Sequence, residues 1–338
     1  MSSQSCNVAG SVTARRNTVS GSRLGIYLEL TKARLVALVL VTTLVGYVIG
    51  SDGAIHWPKL AWTLIGTALA ALGANALNQW MEAQRDERME RTRNRPLPSG
   101  RMTARHAFGV ALSAVVAAPI VLCLATNLLA AVLALAATLI YLALYTPLKS
   151  RSPLCTLVGA VCGALPPMVG WCAATGRLGP GAWVLGATLF AWQIPHSLAL
   201  AWLYRDDYAR GGFRMLPVVD RAGNATGVIV ILWSLALLPI GLAATLVGLA
   251  GWRYAVGSLL LGTALLALGI KLYRQRSDLS ARRLFLASII YLPLLLGFMV
   301  ADRGPVADRV HVIGAVENVQ AAAPPADLGQ ASVYEHPS

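Results

Sequence analysis

The chain has 338 residues, 56% of them hydrophobic and only 13% charged, with a mean hydropathy of +0.61. Soluble domains carry roughly one-quarter charged residues, so this composition excludes one and indicates an integral membrane protein. The net charge of +13 would suit a nucleic acid, but the basic residues gather in alternate loops between apolar runs, which marks membrane topology and leaves no nucleic-acid partner.

Residues 1–24 form a Ser- and Arg-rich arm, expected to be flexible and cytoplasmic, and the absence of an apolar core argues against a cleaved signal peptide. Nine apolar runs follow, at 35–50, 60–80, 106–125, 127–146, 154–174, 182–203, 224–250, 254–272 and 284–301, each of about membrane-spanning length. The expected fold is all-α: a polytopic bundle of about nine transmembrane helices around a central cavity, with an intramembrane domain over 25–302. The tail at 303–338, with its Ala-Ala-Ala-Pro-Pro run and scattered charges, reads as disordered. All of the 28 basic residues except Lys59, Arg177, Arg253, Arg303 and Arg309 fall on the side of the N-terminal arm. The positive-inside rule then puts the N-terminus in the cytoplasm and the C-terminus outside. Cys6, Cys123, Cys155, Cys162 and Cys172 show no metal-ligand spacing, and the last four read as small buried hydrophobes.

The chemistry gathers where the second span ends. Asn78, Glu82 and Asp86 stand four residues apart, and each step advances a helix by one turn plus about 40°, so the three share one side over about 12 Å. Carboxylates at a membrane edge are costly and face a cavity or a counter-charge. Oxygen donors of this kind suit Mg²⁺, which takes one or two protein carboxylates and completes its shell with water and phosphate oxygens. Asp206 and Asp207 close the sixth span on the same side, so acids from two helices can converge on one metal cluster. Glu87 and Glu90 point away from the stripe and read as solvated. A diphosphate held through Mg²⁺ also needs cations for its remaining oxygens, and Arg91, Arg95 and Lys149 are available. The arginine fork matches phosphate oxygens, while lysine acts as a point charge. Arg85, Arg88, Arg93 and Arg101 read as topology determinants that bind anionic membrane lipid.

Three ordered blocks carry a resemblance. The first runs Asn78-x-x-x-Glu82-x-x-x-Asp86-x-x-Met89-x-Arg91-Thr92-x-x-Arg95-Pro96-Leu97-Pro98-x-Gly100-Arg101. The second runs Tyr145-Thr146-Pro147-Leu148-Lys149, then Pro153-Leu154 and Gly163-Ala164-Leu165-Pro166-Pro167-x-x-Gly170-Trp171. The third is Trp192-Gln193-x-Pro195-His196-x-x-Ala199-Leu200-Ala201, followed by Asp206-Asp207-Tyr208, Gly212 and Met215-Leu216-Pro217, with Leu30-Thr31-Lys32-Ala33-Arg34 as a weaker fourth. Over roughly residues 25 to 300 the chain resembles the haem O synthase (protohaem IX farnesyltransferase) branch of the UbiA-type intramembrane prenyltransferases. It departs from that pattern at Glu82, where Asp is common, at Cys155, where Asn is usual, and at Ser197, usually aromatic.

The resemblance implies a farnesyl diphosphate donor, protohaem IX (haem B) as acceptor substrate, Mg²⁺, and haem O as product for terminal-oxidase haem. It further implies haem A synthase or terminal-oxidase assembly proteins as partners, and a bacterial inner (plasma) membrane with the site facing the cytoplasm. Its implied catalytic set is Asn78, Glu82, Asp86, Asp207 and His196, with metal held by Asn78, Glu82, Asp86, Asp206 and Asp207. Substrate falls to Arg91, Arg95, Lys149, Tyr145, Asp206, Trp171 and Trp192. His196 would contact haem or carry a proton, though a lone histidine in an apolar run is also an ordinary hydrogen-bonded interior residue. Trp171 and Trp192 would stack on porphyrin or anchor the membrane interface, and Tyr145 would donate to the diphosphate or fill the core. The rival readings are a prenyltransferase with an aromatic or chlorin acceptor, a transporter, and a non-catalytic oxidase assembly factor.

Overall fold

A computed structural model describes residues 22–51 and 53–303. Most of the N-terminal arm and all of the tail beyond residue 303 lie outside the described residues, and with them the expectations of flexibility and disorder. Among the described residues every regular element is helical. A short α1 (Arg23–Leu30) precedes the first span, α2 (Ala33–Gly50), and the second is α3 (Trp57–Asp86). Then come α4 (Ala104–Ala125) and a composite fourth span: α5 (Leu128–Leu139), a π-helical segment (Ile140–Tyr145) and the single turn α6 (Thr146–Leu148). The remaining spans are α7 (Cys155–Thr175), α8 (Pro180–Leu203), α11 (Asn224–Leu246), α12 (Trp252–Gln275) and α13 (Asp278–Ala301). Two short helices, α9 (Arg205–Arg210) and α10 (Leu216–Val219), lie between α8 and α11.

Nine of these segments are long and apolar enough to cross a membrane, matching the nine sequence runs with ends moved by a few residues. Local chemistry sets several ends. Thr103 accepts from the His106 amide to start α4, Asn127 accepts from the Ala130 amide to start α5, and a Ser277/Ser280 capping box starts α13. Gly176, in the left-handed region, closes α7. Internal prolines at 119, 166, 167, 195, 239 and 293 leave the helices continuous. Neighbouring helices make this tolerable in a bilayer.

α2, α3, α4, α5 and α7 pack as one group and α8, α11, α12 and α13 as another, joined by α7 against α8 and by α13 against α2. The α2 and α7 backbones approach closely at their crossing: a methyl group at Gly46 would overlap the Pro167 carbonyl oxygen, and one at Gly170 the Thr43 carbonyl oxygen. Exposed apolar side chains such as Leu124, Leu246, Leu260 and Ile290 cover the outside, as lipid-facing surface should. Of the cysteines, Cys155 and Cys172 are buried and Cys162 half-buried, while Cys123 is exposed.

Candidate active site

At about 1.5 Å per residue the 30-residue α3 is about 45 Å long, more than the ~30 Å hydrocarbon core of a bilayer. Its last three turns carry the polar stripe, and the bundle buries it: Asn78, Glu82 and Asp86 are each 3% exposed or less. Each meets a basic group from a different segment. Lys32 Nζ, at the start of α2, donates to Asn78 Oδ1 at 3.0 Å. Lys149 Nζ, just after α6, lies 3.2 Å from Glu82 Oε2. Arg95, in the loop after α3, donates to Asp86 Oδ2 at 2.7 Å.

The fourth span is shaped to hold this arrangement. Just after the π segment, the Thr146 hydroxyl reaches back to the Tyr141 carbonyl at 2.8 Å and accepts from Asn78 Nδ2 at 3.2 Å. The widened turn stacks the rings of Tyr141 and Tyr145, 5.3 Å apart and 15° from parallel. Such π turns inside longer helices cluster at functional sites. Thr146→Val should leave the buried Asn78 amide short of an acceptor. The expected loss is about 1–3 kcal/mol, read as a lower unfolding temperature of the detergent-solubilised protein.

Asp207, on α9, ties the α3–α4 loop down at the same end. Its carboxylate accepts from the amides of Glu90 at 2.9 Å and Arg91 at 3.2 Å, and from the Arg210 guanidinium at 2.7 Å. Partial burial pushes the Asp207 carboxyl up, but the Arg210 and amide hydrogen bonds outweigh it and hold it below the usual carboxylate value. The backbone bonds aim Arg91 at an aromatic wall: its guanidinium lies 4.6 Å from the Tyr204 ring and donates to the Tyr208 hydroxyl at 3.3 Å. Lys149 Nζ stands 4.1 Å from the Phe213 ring centre, where the ring face favours a cation.

Lys32 was visible in sequence only as one more basic residue and part of the weakest block. It adopts the left-handed conformation (φ 52°, ψ 50°), which costs a residue with a β-carbon roughly 1–2 kcal/mol. Burial first, then the nearby Arg95 and Lys149 charges, push its ammonium down to about 7, while Glu82 and Asp86 pull it up. Five side chains from four segments thus act as one electrostatic unit. Tyr141, Tyr204 and Phe213 also surround this unit without having stood out in the sequence, and Thr146 and Tyr208 stood out only as members of the resemblance blocks, because ordinary aromatic and hydroxyl residues give no spacing signal.

Other expected site residues lie elsewhere. Asp206 is exposed on α9, because Asp207 takes the inward position and its neighbour must face out. Glu87 and Glu90 are exposed, as the stripe geometry requires. Trp171 is on α7 near Gly50, Gly179 and Gly181, at the opposite end of the bundle from Asp86. Its span puts it there, so it is not brought to the acid stripe. Trp192 and His196 face α13: the Trp192 indole N–H donates to the Ser288 carbonyl at 2.8 Å, His196 Nδ1 is 2.8 Å from the Ser288 hydroxyl, and the imidazole stacks between Trp192 and Phe285. These contacts are those of a hydrogen-bonded interior histidine. Tyr145 packs over Gly159 beside Tyr208 and Cys155, at the site end.

Among the described residues no three His, Cys, Asp or Glu side chains are grouped to hold one metal ion. A donor set of two carboxylates and an amide nevertheless fits Mg²⁺, which expects phosphate oxygens to finish its shell. One observation favours it directly. Asp86 Oδ1 is buried with no hydrogen-bond partner, and a buried carboxylate oxygen of that kind calls for an ion or water.

The model of the UbiA prenyltransferase family matches residues 39–301, nearly the whole described chain. The chain belongs to the UbiA prenyltransferase family. Within that family it is 44% identical over 288 residues to a protein of Solibacter usitatus (strain Ellin6076) named protoheme IX farnesyltransferase, covering 82% of this chain and 98% of the relative. The fold is shared with a digeranylgeranylglyceryl phosphate synthase structure (TM-score 0.68, 15% identity, 83% of this chain and 98% of that one). A UbiA homolog from Archaeoglobus fulgidus bound to GPP and Mg²⁺ also shares it (TM-score 0.55, 14% identity, 81% and 99%). This prenyltransferase is an integral membrane enzyme, and the polar end of its α3 is where the first block of the sequence and the cations of the fold meet.

Proposed function

We propose that the enzyme transfers the farnesyl group of farnesyl diphosphate to a vinyl group of protohaem IX, giving haem O. The observation that carries this reading is the buried stripe Asn78, Glu82 and Asp86 faced by Lys32, Lys149 and Arg95 at one end of the bundle, in a chain 44% identical to a protein named for that activity. The apolar spans bury the isoprenoid tail at about 0.8 kcal/mol per CH₂, and the tail's length sets where its diphosphate comes to rest. Lys149, Arg91 and Arg95 take diphosphate oxygens, each already aimed by a ring or a carboxylate. Glu82 and Asp86, with Asn78, hold Mg²⁺, and a ligand role for Asp207 requires it to exchange Arg210 for the metal. When bound, the ion neutralises charge developing on the departing diphosphate.

The farnesyl carbon–oxygen bond breaks and diphosphate leaves with the electron pair. The terminal vinyl carbon forms the new carbon–carbon bond. Water adds to the cationic carbon left beside the porphyrin and loses a proton, giving the hydroxyethylfarnesyl group. The basic loops at the site end support a site that faces the cytoplasm, in a bacterial inner membrane. Membranes expressing the chain, supplied with haem B and farnesyl diphosphate, should yield haem O by pigment chromatography with magnesium present and lose it when the metal is chelated. A prenylated phenol with no haem product would assign a different acceptor.

A further inference from the structure

Three oxygen donors and three cations are paired one to one in this structure, and the weakest pairing is the most telling. Glu82 and Asp86 each have a charged partner, but Lys32 has only the neutral amide oxygen of Asn78. It does so half-buried, in a left-handed backbone conformation, with Arg95 and Lys149 as well as Glu82 and Asp86 among its electrostatic neighbours. Its two acidic neighbours are already paired with Lys149 and Arg95, so this partly desolvated ammonium is the least compensated of the three cations. The same ammonium covers an oxygen that a divalent cation would use.

We propose that Lys32 is a positioning residue that makes metal binding conditional on the diphosphate, by occupying Asn78 and adding a positive charge to the stripe until an anion draws it away. This rests on the metal–diphosphate reading above. A divalent cation arriving alone meets Lys32 on one of its three donors, and a diphosphate arriving alone leaves Glu82 and Asp86 stripped of their counter-charges. Arriving together they exchange partners: the cations turn to phosphate oxygens and the stripe to the metal. Each ligand therefore strengthens the other by the same factor.

The test uses the full chain in lipid nanodiscs and three titrations: Mn²⁺ alone, metal-free inorganic pyrophosphate alone, and Mn²⁺ with saturating farnesyl thiodiphosphate. Lys32→Met should bind Mn²⁺ alone about tenfold more tightly than the natural chain and pyrophosphate alone about tenfold more weakly. The coupling, ~5–150-fold between typical linked sites, should fall below that of the natural chain, since only the Lys149 and Arg95 exchanges remain, and Lys32→Arg should keep it. Misfolding would weaken both ligands, so opposite shifts identify the device. Unchanged or weaker Mn²⁺ binding by Lys32→Met, with the natural chain still taking up Mn²⁺ beside the thiodiphosphate, overturns the proposal alone. A natural chain that takes up no Mn²⁺ either alone or beside the thiodiphosphate overturns both the proposal and the metal–diphosphate reading.

Discussion

Asp86→Asn is expected to slow prenyl transfer on the order of 10²–10³-fold, the usual cost of losing one preorganised charge-stabilising group. Asparagine keeps the volume and can still accept from Arg95, which Asp86 Oδ2 does at 2.7 Å, so the fold should survive. What disappears is one of two carboxylates facing Lys32, Lys149 and Arg95, including the buried oxygen that has no partner within the protein. The remaining activity should need more magnesium. Rates at saturating farnesyl diphosphate across a magnesium series check this, with the exposed Glu87→Gln as the variant expected to match the natural chain. An unchanged rate and magnesium dependence in Asp86→Asn would remove the metal from α3.

The second large effect concerns the scaffold. Gly170→Ala should destabilise the protein by about 1–3 kcal/mol, as overpacking does, because the added methyl overlaps the Thr43 carbonyl of α2. That neighbour is helix backbone, so relief requires the two spans to separate rather than a side chain to turn. Since Lys32 immediately precedes α2, separation would carry the Lys32–Asn78 contact apart and lower activity together with stability. Gly109→Ala is the comparison. A methyl there meets nothing within 4 Å, and because alanine favours a helix interior over glycine its unfolding temperature should stay level or rise. Thermal unfolding in detergent distinguishes the two, and equal midpoints would mean that the α2–α7 crossing is looser than described.

Much of this was legible in the chain itself. Hydropathy located nine spans because a bilayer demands runs of about twenty apolar residues whatever their neighbours. The alternation of basic loops put the acids of the second and sixth spans at one end. The four-residue spacing of Asn78, Glu82 and Asp86 placed them on one buried face, because helix geometry is local. Folding decided what long-range packing alone can decide. Asp207 rather than Asp206 turns inward, and it holds the Arg91 loop by backbone amides that carry no sequence mark. Trp171 sits at the far end, since a motif read along one helix spans both faces of a membrane. The π turn before Thr146 and the left-handed Lys32 are backbone choices made by the surrounding helices, and through them a lysine 46 positions away in sequence meets Asn78.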